Sequence, residues 1–183
     1  DVPYVVLHPM PRYAYKAWSS NNWSALVRRL NDAGVKVVLT GGNNASELAA
    51  IRDIVPEGAD AVILAGKLSF GQTAELIARS KGFVGPDTGT THVASSTGVP
   101  IVTLFGPSDP TAWGPWGRGQ TKPFDSRNDG VPQRRGNVIL LKKHCKCQGG
   151  MGCLNHRDSH SDCLNALTMD EVWSALKELR IVP

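Results

Sequence analysis

Cysteine, long apolar runs and concentrated charge are all scarce along most of this chain of 183 residues. The first 144 residues contain no cysteine, which excludes a fold held together by disulfides spread along the sequence. No apolar run approaches the roughly 20 residues that a membrane-spanning helix needs. The net charge of +4 is scattered over short basic pairs, so we expect no nucleic acid as a partner.

The sequence also lacks the signatures of two common nucleotide-binding classes. No G-x-x-x-x-G-K-[ST] pattern is present, and no G-x-G-x-x-G follows the first predicted strand, which argues against a nucleoside triphosphatase and a dinucleotide enzyme. Hydrophobic residues at 41% and charged residues at 20% are nevertheless typical of a globular domain. The chain begins DVPYVVLHPM, without Met or the basic region of a signal peptide, so we expect it to be part of a longer protein.

Short apolar runs alternate with helical patterns over the first two thirds of the chain. Strands are predicted at 4–7, 35–39, 61–64, 83–85, 101–105 and 138–141. Helices are predicted to start at a cap at Ser20 or Asn21, around 46–54, after a cap at Ser69, near 91–97 and at about 168–180. The polar segment 125–136 is predicted to be exposed to solvent. This alternation is typical of βαβ units, and the predicted fold class is therefore α/β, a Rossmann-like doubly wound parallel sheet.

Three unusual loops follow predicted strands, at residues 8–18, 40–44 and 86–92. In a doubly wound sheet, ligands bind beyond the carboxyl ends of the strands, and the topology brings these loops to one edge. The third loop leads into a helix N-terminus, which attracts phosphate through its free N–H groups and its dipole. There Gly89 permits close approach of the backbone, and Asp87 either caps the helix or accepts a sugar hydroxyl. An ordinary strand–turn–helix is the competing interpretation.

Two basic residues in the first loop, Lys16 and Arg12, offer positive charge for a diphosphate, although a solvated surface lysine is the alternative. Glu47, one turn into the second helix, is a candidate for the ribose hydroxyls or an exposed helical glutamate. Trp18 and Trp23 are predicted to be core residues rather than stacking platforms.

Taken in order, these motifs resemble one known family. The motifs are K-x-W followed by W at Lys16, Trp18 and Trp23, V-V-L-T-G-G at Val37–Gly42, Glu47, D-T-G-x-x-H-x-A-x-x-x-G-x-P at Asp87–Pro100, and L-F-G-P-S-D-P at Leu104–Pro110. Together they resemble the C-terminal half of glycosyltransferase family 9, the ADP-heptose:lipopolysaccharide heptosyltransferases, over about four fifths of the chain.

The resemblance implies a GT-B fold, in which two Rossmann-like domains face each other across a cleft. Residues 1–183 would form the nucleotide-sugar donor-binding domain, with the N-terminal acceptor domain, which carries the family's general base, absent from this sequence. The residues implied to bind the donor are Arg12, Lys16, Gly41, Gly42, Glu47, Asp87, Thr88, Gly89, Thr90, Thr91 and His92. In this mapping Lys16 and the Thr88–Thr91 turn meet the diphosphate, Glu47 the nucleoside and Asp87 the sugar.

A Cys/His-rich segment at 144–163 is weighed separately. It holds all four cysteines, Cys145, Cys147, Cys153 and Cys163, within 19 positions. Such a cluster is suited to a structural zinc or iron site, although disulfides and free thiols remain open. Some relatives that glycosylate autotransporter proteins are thought to carry cysteine-bound iron, and the resemblance implies that no cofactor is required for transfer itself.

The resemblance implies an inverting transferase that moves heptose or a related sugar from a donor such as ADP-heptose to a lipopolysaccharide or other envelope acceptor. The isolated domain is expected to bind donor weakly and to be inactive alone. A GT-B nucleotide-sugar epimerase domain and a catalytically inactive, metal-stabilised binding module are the alternatives. The parent protein is expected to be cytoplasmic, at the periphery of the inner membrane.

Overall fold

The computed structural model describes residues 3–126, 130–144 and 160–183. Its strands are β1 Tyr4–Leu7, β2 Lys36–Leu39, β3 Ala61–Ile63, β4 Gly82–Pro86, β5 Ile101–Phe105, β6 Gln133–Arg135 and β7 Val138–Lys142. Its α-helices are α1 Ser20–Asp32, α2 Ala45–Asp53, α3 Phe70–Ala78, α4 Gly89–Thr97, α5 Pro110–Trp113, α6 Asp162–Asn165 and α7 Met169–Glu178. A 3-10 turn covers Ala14–Lys16. None of the helices within these residues is long and apolar enough to cross a membrane.

The strands form one sheet in the order β3-β2-β1-β4-β5-β7-β6. All neighbouring pairs are parallel except β6 with β7, which is antiparallel. The prediction of a doubly wound parallel sheet is thereby confirmed. Within the polar segment 125–136, Gln133–Arg135 pairs with Val138–Leu140 as an edge strand, which the sequence did not predict.

Both faces of the sheet are covered, and consecutive strand residues alternate between the two cores. Val5 and Leu7 of β1 pack with α1 and α7, whereas Val6 packs on the opposite face near Ile77 of α3. Trp18 and Trp23 lie in the first core, 2% and 0% exposed, as the sequence predicted. Burial on both sides explains why inner strands such as β1 and β5 consist of largely continuous apolar runs.

The helix boundaries follow local capping chemistry. Ser69 with Gln72 and Thr168 with Glu171 both form capping boxes, which confirms the predicted starts of α3 and α7. The predicted cap of α1 at Ser20 or Asn21 is wrong by at least one position, because Ser19 accepts the N–H of Asn22. Each of these caps satisfies an N–H group that the helix itself leaves unpaired.

Candidate functional site

The three predicted loops follow β1, β2 and β4, which are adjacent and parallel. They therefore leave the sheet at the same carboxyl edge, in the spatial order β2, β1, β4, with the loop after β5 next to them. Residues from positions 8 to 113 meet along this edge, as expected for ligand binding in this class of sheet.

An ion pair joins two of the loops. Lys16 Nζ lies 2.5 Å from Asp87 Oδ2, and the two side chains are only 17% and 5% exposed. The rings of Tyr15 and Trp113 each lie 5.9 Å from the Lys16 ammonium, measured to the ring centroid. Breaking such a shielded pair by removing one partner costs roughly 3–5 kcal/mol. The structure thus holds a cation and a carboxylate together beside the start of α4.

The loop that carries Lys16 is held from behind by the segment that precedes α7. Ser161 Oγ donates to the Tyr15 carbonyl at 2.8 Å, and His160 Nδ1 lies 3.3 Å from the Ala17 carbonyl. Trp18 Nε1 donates to the Leu167 carbonyl at 2.7 Å. The end of the Cys/His-rich segment, distant in sequence, therefore contacts the backbone on either side of Lys16.

The N-terminus of α4 is arranged by two threonine hydroxyls. Thr88 is the N-cap and accepts the Thr91 N–H at 3.4 Å, while Thr91 Oγ1 donates to the Pro86 carbonyl at 2.5 Å. Thr91 is 1% exposed, so its hydroxyl is used inside the protein. Asp87 does not cap the helix, since it pairs with Lys16. Gly89 and Thr90 present the first turn, whose N–H groups are available for an anion.

The Gly41–Gly42 turn after β2 is fastened to α2 by a carboxylate. Glu47 Oε1 accepts the Gly42 N–H at 2.6 Å, and Glu47 Oε2 accepts an amide N–H of Asn44 at 2.9 Å. A Cβ atom at Gly41 would lie 2.5 Å from Ile51, and one at Gly42 would lie 2.6 Å from Glu47. A larger residue at either position would require the Ile51 or Glu47 side chain to move.

A pocket of about 310 Å³ opens between these loops. Its volume is at the lower end of the range for small-molecule sites. Its lining combines one histidine with apolar side chains, threonine hydroxyls and two glycines. The lining residues are His8, Thr40, Gly41, Gly42, Leu64, Leu68, Phe70, Thr73 and Thr90. The turn that contributes Thr90 also carries Asp87, so the pocket and the ion pair share one element.

His8 is the buried titratable group of the pocket wall. Its Nδ1 lies 3.0 Å from Thr40 Oγ1, and the Thr40 hydroxyl also lies within donating distance of the Leu7 carbonyl. The contact between the imidazole and the Thr40 hydroxyl joins the first residue after β1 to the first residue after β2. Burial lowers the pKa of His8 to about 4, so the ring is neutral at physiological pH.

The predicted donor-binding residues belong to the loops and helix ends at this edge, and they differ in how closely they contact the pocket and the ion pair. Gly41, Gly42 and Thr90 line the pocket, and Lys16 meets Asp87. Arg12 is exposed, with its guanidinium 5.6 Å from the Tyr13 ring centroid, and His92 is exposed on α4.

Sequence reasoning missed His8, Phe70 and Trp113 as residues of the site. His8 directly follows β1, and Phe70 begins α3 at the predicted edge of the sheet. Their positions relative to the strands could therefore have identified both residues. Trp113 lies beyond the predicted loops, and only its contact with Lys16 connects it to the site.

Cys145, Cys147 and Cys153 of the predicted metal cluster lie outside the described residues. Cys163 lies in α6 and is 6% exposed. Within residues 3–126, 130–144 and 160–183, no group of three or more His, Cys, Asp or Glu side chains is placed to hold a metal ion. The cysteine cluster therefore stays a prediction.

The sequence profile of glycosyltransferase family 9 (heptosyltransferase) matches residues 1–141. Lipopolysaccharide heptosyltransferase 3 of Escherichia coli is 34% identical over 115 residues, which cover 62% of this chain and 34% of the relative. Lipopolysaccharide heptosyltransferase 1 of Salmonella typhimurium is 34% identical over 119 residues, covering 64% of this chain and 37% of the relative. The chain thus spans about a third of the length of these curated relatives.

Solved structures agree on the fold. ADP-heptose lipopolysaccharide heptosyltransferase II of E. coli superimposes with a TM-score of 0.73 at 24% identity, over 97% of this chain and 46% of that one. The dodecameric iron-containing heptosyltransferase TibC, solved with ADP-D-beta-D-heptose, has a TM-score of 0.62 at 20% identity, over 97% of this chain and 45% of that one.

Proposed function

This chain belongs to glycosyltransferase family 9, and on that premise we propose that it is the donor-binding domain of an inverting heptosyltransferase. The donor would be a nucleoside diphosphate sugar such as ADP-heptose, and the acceptor a lipopolysaccharide-type glycan. The observation that carries the proposal is the Lys16–Asp87 ion pair at the N-terminus of α4. An ammonium, a carboxylate and the first turn of a helix lie together there, a combination that suits a diphosphate sugar.

The proposed donor lies along the carboxyl edge of the sheet. The nucleoside occupies the pocket beside the Gly41–Gly42 turn, where Phe70 offers an exposed ring and Glu47 closes the turn from behind. The diphosphate meets Lys16 and the first turn of α4. Asp87, once Lys16 engages the phosphates, accepts a hydroxyl of the sugar.

The same groups would assist the chemistry of transfer. When the bond between the sugar and the diphosphate breaks, negative charge increases on the departing phosphate oxygen. The Lys16 ammonium and the dipole of α4 are aimed at that charge and stabilise it without reorganisation. The base that activates the acceptor would come from a second domain facing this one, so the single domain binds donor and leaves transfer to the pair.

This arrangement supplies the positive charge from the protein itself, so the proposed transfer requires no metal ion. The cysteines of the 144–163 segment are proposed to form a structural site, with iron or zinc as the candidate ion. The proposed place of action is the cytoplasmic side of the inner membrane, where the mild positive charge suits an anionic surface.

Calorimetric titration with ADP tests the proposal. We expect a Kd between about 10 µM and 1 mM for the domain, equivalent to about −7 to −4 kcal/mol. Lys16→Met should weaken ADP binding at least tenfold, because a charge-assisted contact to phosphate is lost. Lys36→Met is the matched control, since Lys36 also forms an ion pair, with Asp60 at 3.1 Å, but begins β2 at the opposite edge of the sheet.

Circular dichroism of each variant would confirm that it is folded before binding is compared. Preference for UDP over ADP would contradict the proposed donor and favour the epimerase alternative. Absence of binding to either nucleotide by the folded wild-type domain would contradict a donor-binding role.

A further inference from the structure

Trp113 is an aromatic residue exposed beside the ion pair rather than packed into a core. Its relative exposure is 53%, and its ring centroid lies 5.9 Å from the Lys16 ammonium. Large aromatic side chains are mostly buried in globular proteins, because they carry much apolar surface. An indole left in solvent next to a charged site calls for a functional explanation.

The backbone that presents Trp113 is firmly held. Asp109 caps α5 by accepting the Thr111 N–H at 2.9 Å, and Thr111 Oγ1 donates to the Phe124 carbonyl at 3.0 Å. At the next position, a Cβ atom at Gly114 would lie 2.5 Å from the Pro110 carbonyl oxygen and 2.6 Å from Phe124. This close packing holds the backbone from which the Trp113 indole projects.

The order of the strands assigns Trp113 to one end of the donor. Most residues that line the nucleoside pocket follow β2 and β3, with His8 after β1 and Thr90 after β4 at its near side, and the ion pair joins the loops after β1 and β4. Trp113 follows β5, on the side of β4 away from β2 and β3. A nucleoside diphosphate sugar is linear, with its diphosphate in the middle. If the nucleoside and diphosphate lie as proposed, the sugar extends toward β5.

We propose that Trp113 is the platform on which the donor sugar stacks, and that it determines which sugar is accepted; this inference rests on the proposed function. A pyranose ring has a face of C–H groups that packs against an aromatic ring, while its hydroxyls point outward. The electron-rich face of the indole suits the weakly positive C–H hydrogens, and its contact with Lys16 fixes its position relative to the diphosphate. A sugar whose substituents occupy that face would be excluded.

Binding of two ligands that differ only in the sugar tests the platform. ADP and ADP-heptose are titrated into wild type, Trp113→Ala and Trp113→Phe. Trp113→Ala should weaken ADP-heptose binding about fivefold and leave ADP binding within a factor of about two of wild type. Trp113→Phe should restore most of the lost ADP-heptose affinity. The matched control is Trp116→Ala, because Trp116 lies three positions further in the same loop and is 54% exposed.

The possible results separate the two proposals. If wild type binds neither ligand, the donor-binding function itself fails. If wild type binds both but Trp113→Ala leaves ADP-heptose binding unchanged, or weakens both ligands equally, the sugar platform is wrong while donor binding stands. An equal effect of Trp116→Ala would likewise overturn the specific role of Trp113.

Discussion

His8 shows how a single buried side chain combines support of the fold with a place in the site. Its imidazole is 9% exposed, forms a wall of the pocket and contacts the Thr40 hydroxyl of the neighbouring strand end. Burial lowers the pKa of His8 from 6.5 to about 4. The neutral ring is therefore part of the folded structure, and protonation opposes folding.

The pH dependence of stability follows from this shift. Between pH 6.5 and 4 the unfolded chain binds the proton and the folded chain does not, so stability falls as the pH is lowered through this window. The loss of stability begins as the pH falls below about 6.5 and is complete at about pH 4. It amounts to about 3 kcal/mol. Urea unfolding at several pH values should show that His8→Gln reduces this dependence.

The matched control for that measurement is His92→Gln, because His92 is exposed on α4. It should leave the pH dependence of the free energy of unfolding unchanged. An equally steep dependence in His8→Gln and wild type would show that His8 is not responsible.

Among secondary-structure elements, the N-terminus of α4 divides its threonines between structure and binding. Thr88 and Thr91 use their hydroxyls to close the turn onto Pro86, whereas Thr90 faces the pocket. The family resemblance implied that the whole Thr88–Thr91 turn meets the diphosphate, because residue types alone do not reveal which hydroxyl points inward. Only the burial of Thr91 separates the two roles.

Two isosteric substitutions distinguish these roles. Thr91→Val should lower the free energy of unfolding by about 1–3 kcal/mol, because the Pro86 carbonyl loses its buried donor. Thr90→Val should leave stability within about 0.5 kcal/mol of wild type and reduce ADP affinity. Chemical denaturation and calorimetry on the same samples measure both quantities. A loss of stability in Thr90→Val but not in Thr91→Val would show that the structural and binding roles of the two threonines are exchanged.

Elements with a strong local pattern were predictable, and those that depend on a neighbour were not. The apolar runs of β1 and β5 and the capping box of α7 are encoded within a few residues. By contrast β6 consists of Gln133, Arg134 and Arg135, which carry no strand pattern and become a strand only by pairing with β7. In the site, the loop positions followed from the topology, but the meeting of Lys16 with Trp113 depends on side-chain directions.

Across the whole molecule, the donor site is supported from a distant part of the sequence. The Ser161 hydroxyl donates to the Tyr15 carbonyl, and the Leu167 carbonyl accepts from the Trp18 indole, although more than 140 positions separate the residues of each pair. Gly106 packs against the same hydrogen bond, since a Cβ atom there would lie 3.0 Å from the Tyr15 carbonyl oxygen and 3.1 Å from Ser161 Oγ. The position of Lys16 therefore depends on the docking of residues 160–167.

A double-mutant cycle measures this dependence. Ser161→Ala should weaken ADP binding about threefold, because the Tyr15 carbonyl loses its donor and Lys16 is held less well. In the Lys16→Met background the same substitution should have no further effect on ADP affinity, since Ser161 acts through Lys16. Calorimetry on the four proteins gives the coupling.

Ser174→Ala is the matched control for the cycle. The Ser174 hydroxyl also donates to a backbone carbonyl, that of Asp170, but on the exposed side of α7. It should not change ADP affinity in either background. Additive effects of Ser161→Ala and Lys16→Met would indicate that Ser161 contributes only to general stability.

The hydrogen bond from the Trp18 indole to the Leu167 carbonyl also bears on the order in which the protein assembles. It joins residues 149 positions apart, and loops of that size close late because their ends meet at a high entropic cost. A nascent chain that has released β1 to β5 from the ribosome holds most of its sheet, yet the Lys16 loop still lacks its partners. Affinity for ADP should therefore appear after the sheet has formed, as one of the last properties acquired during folding.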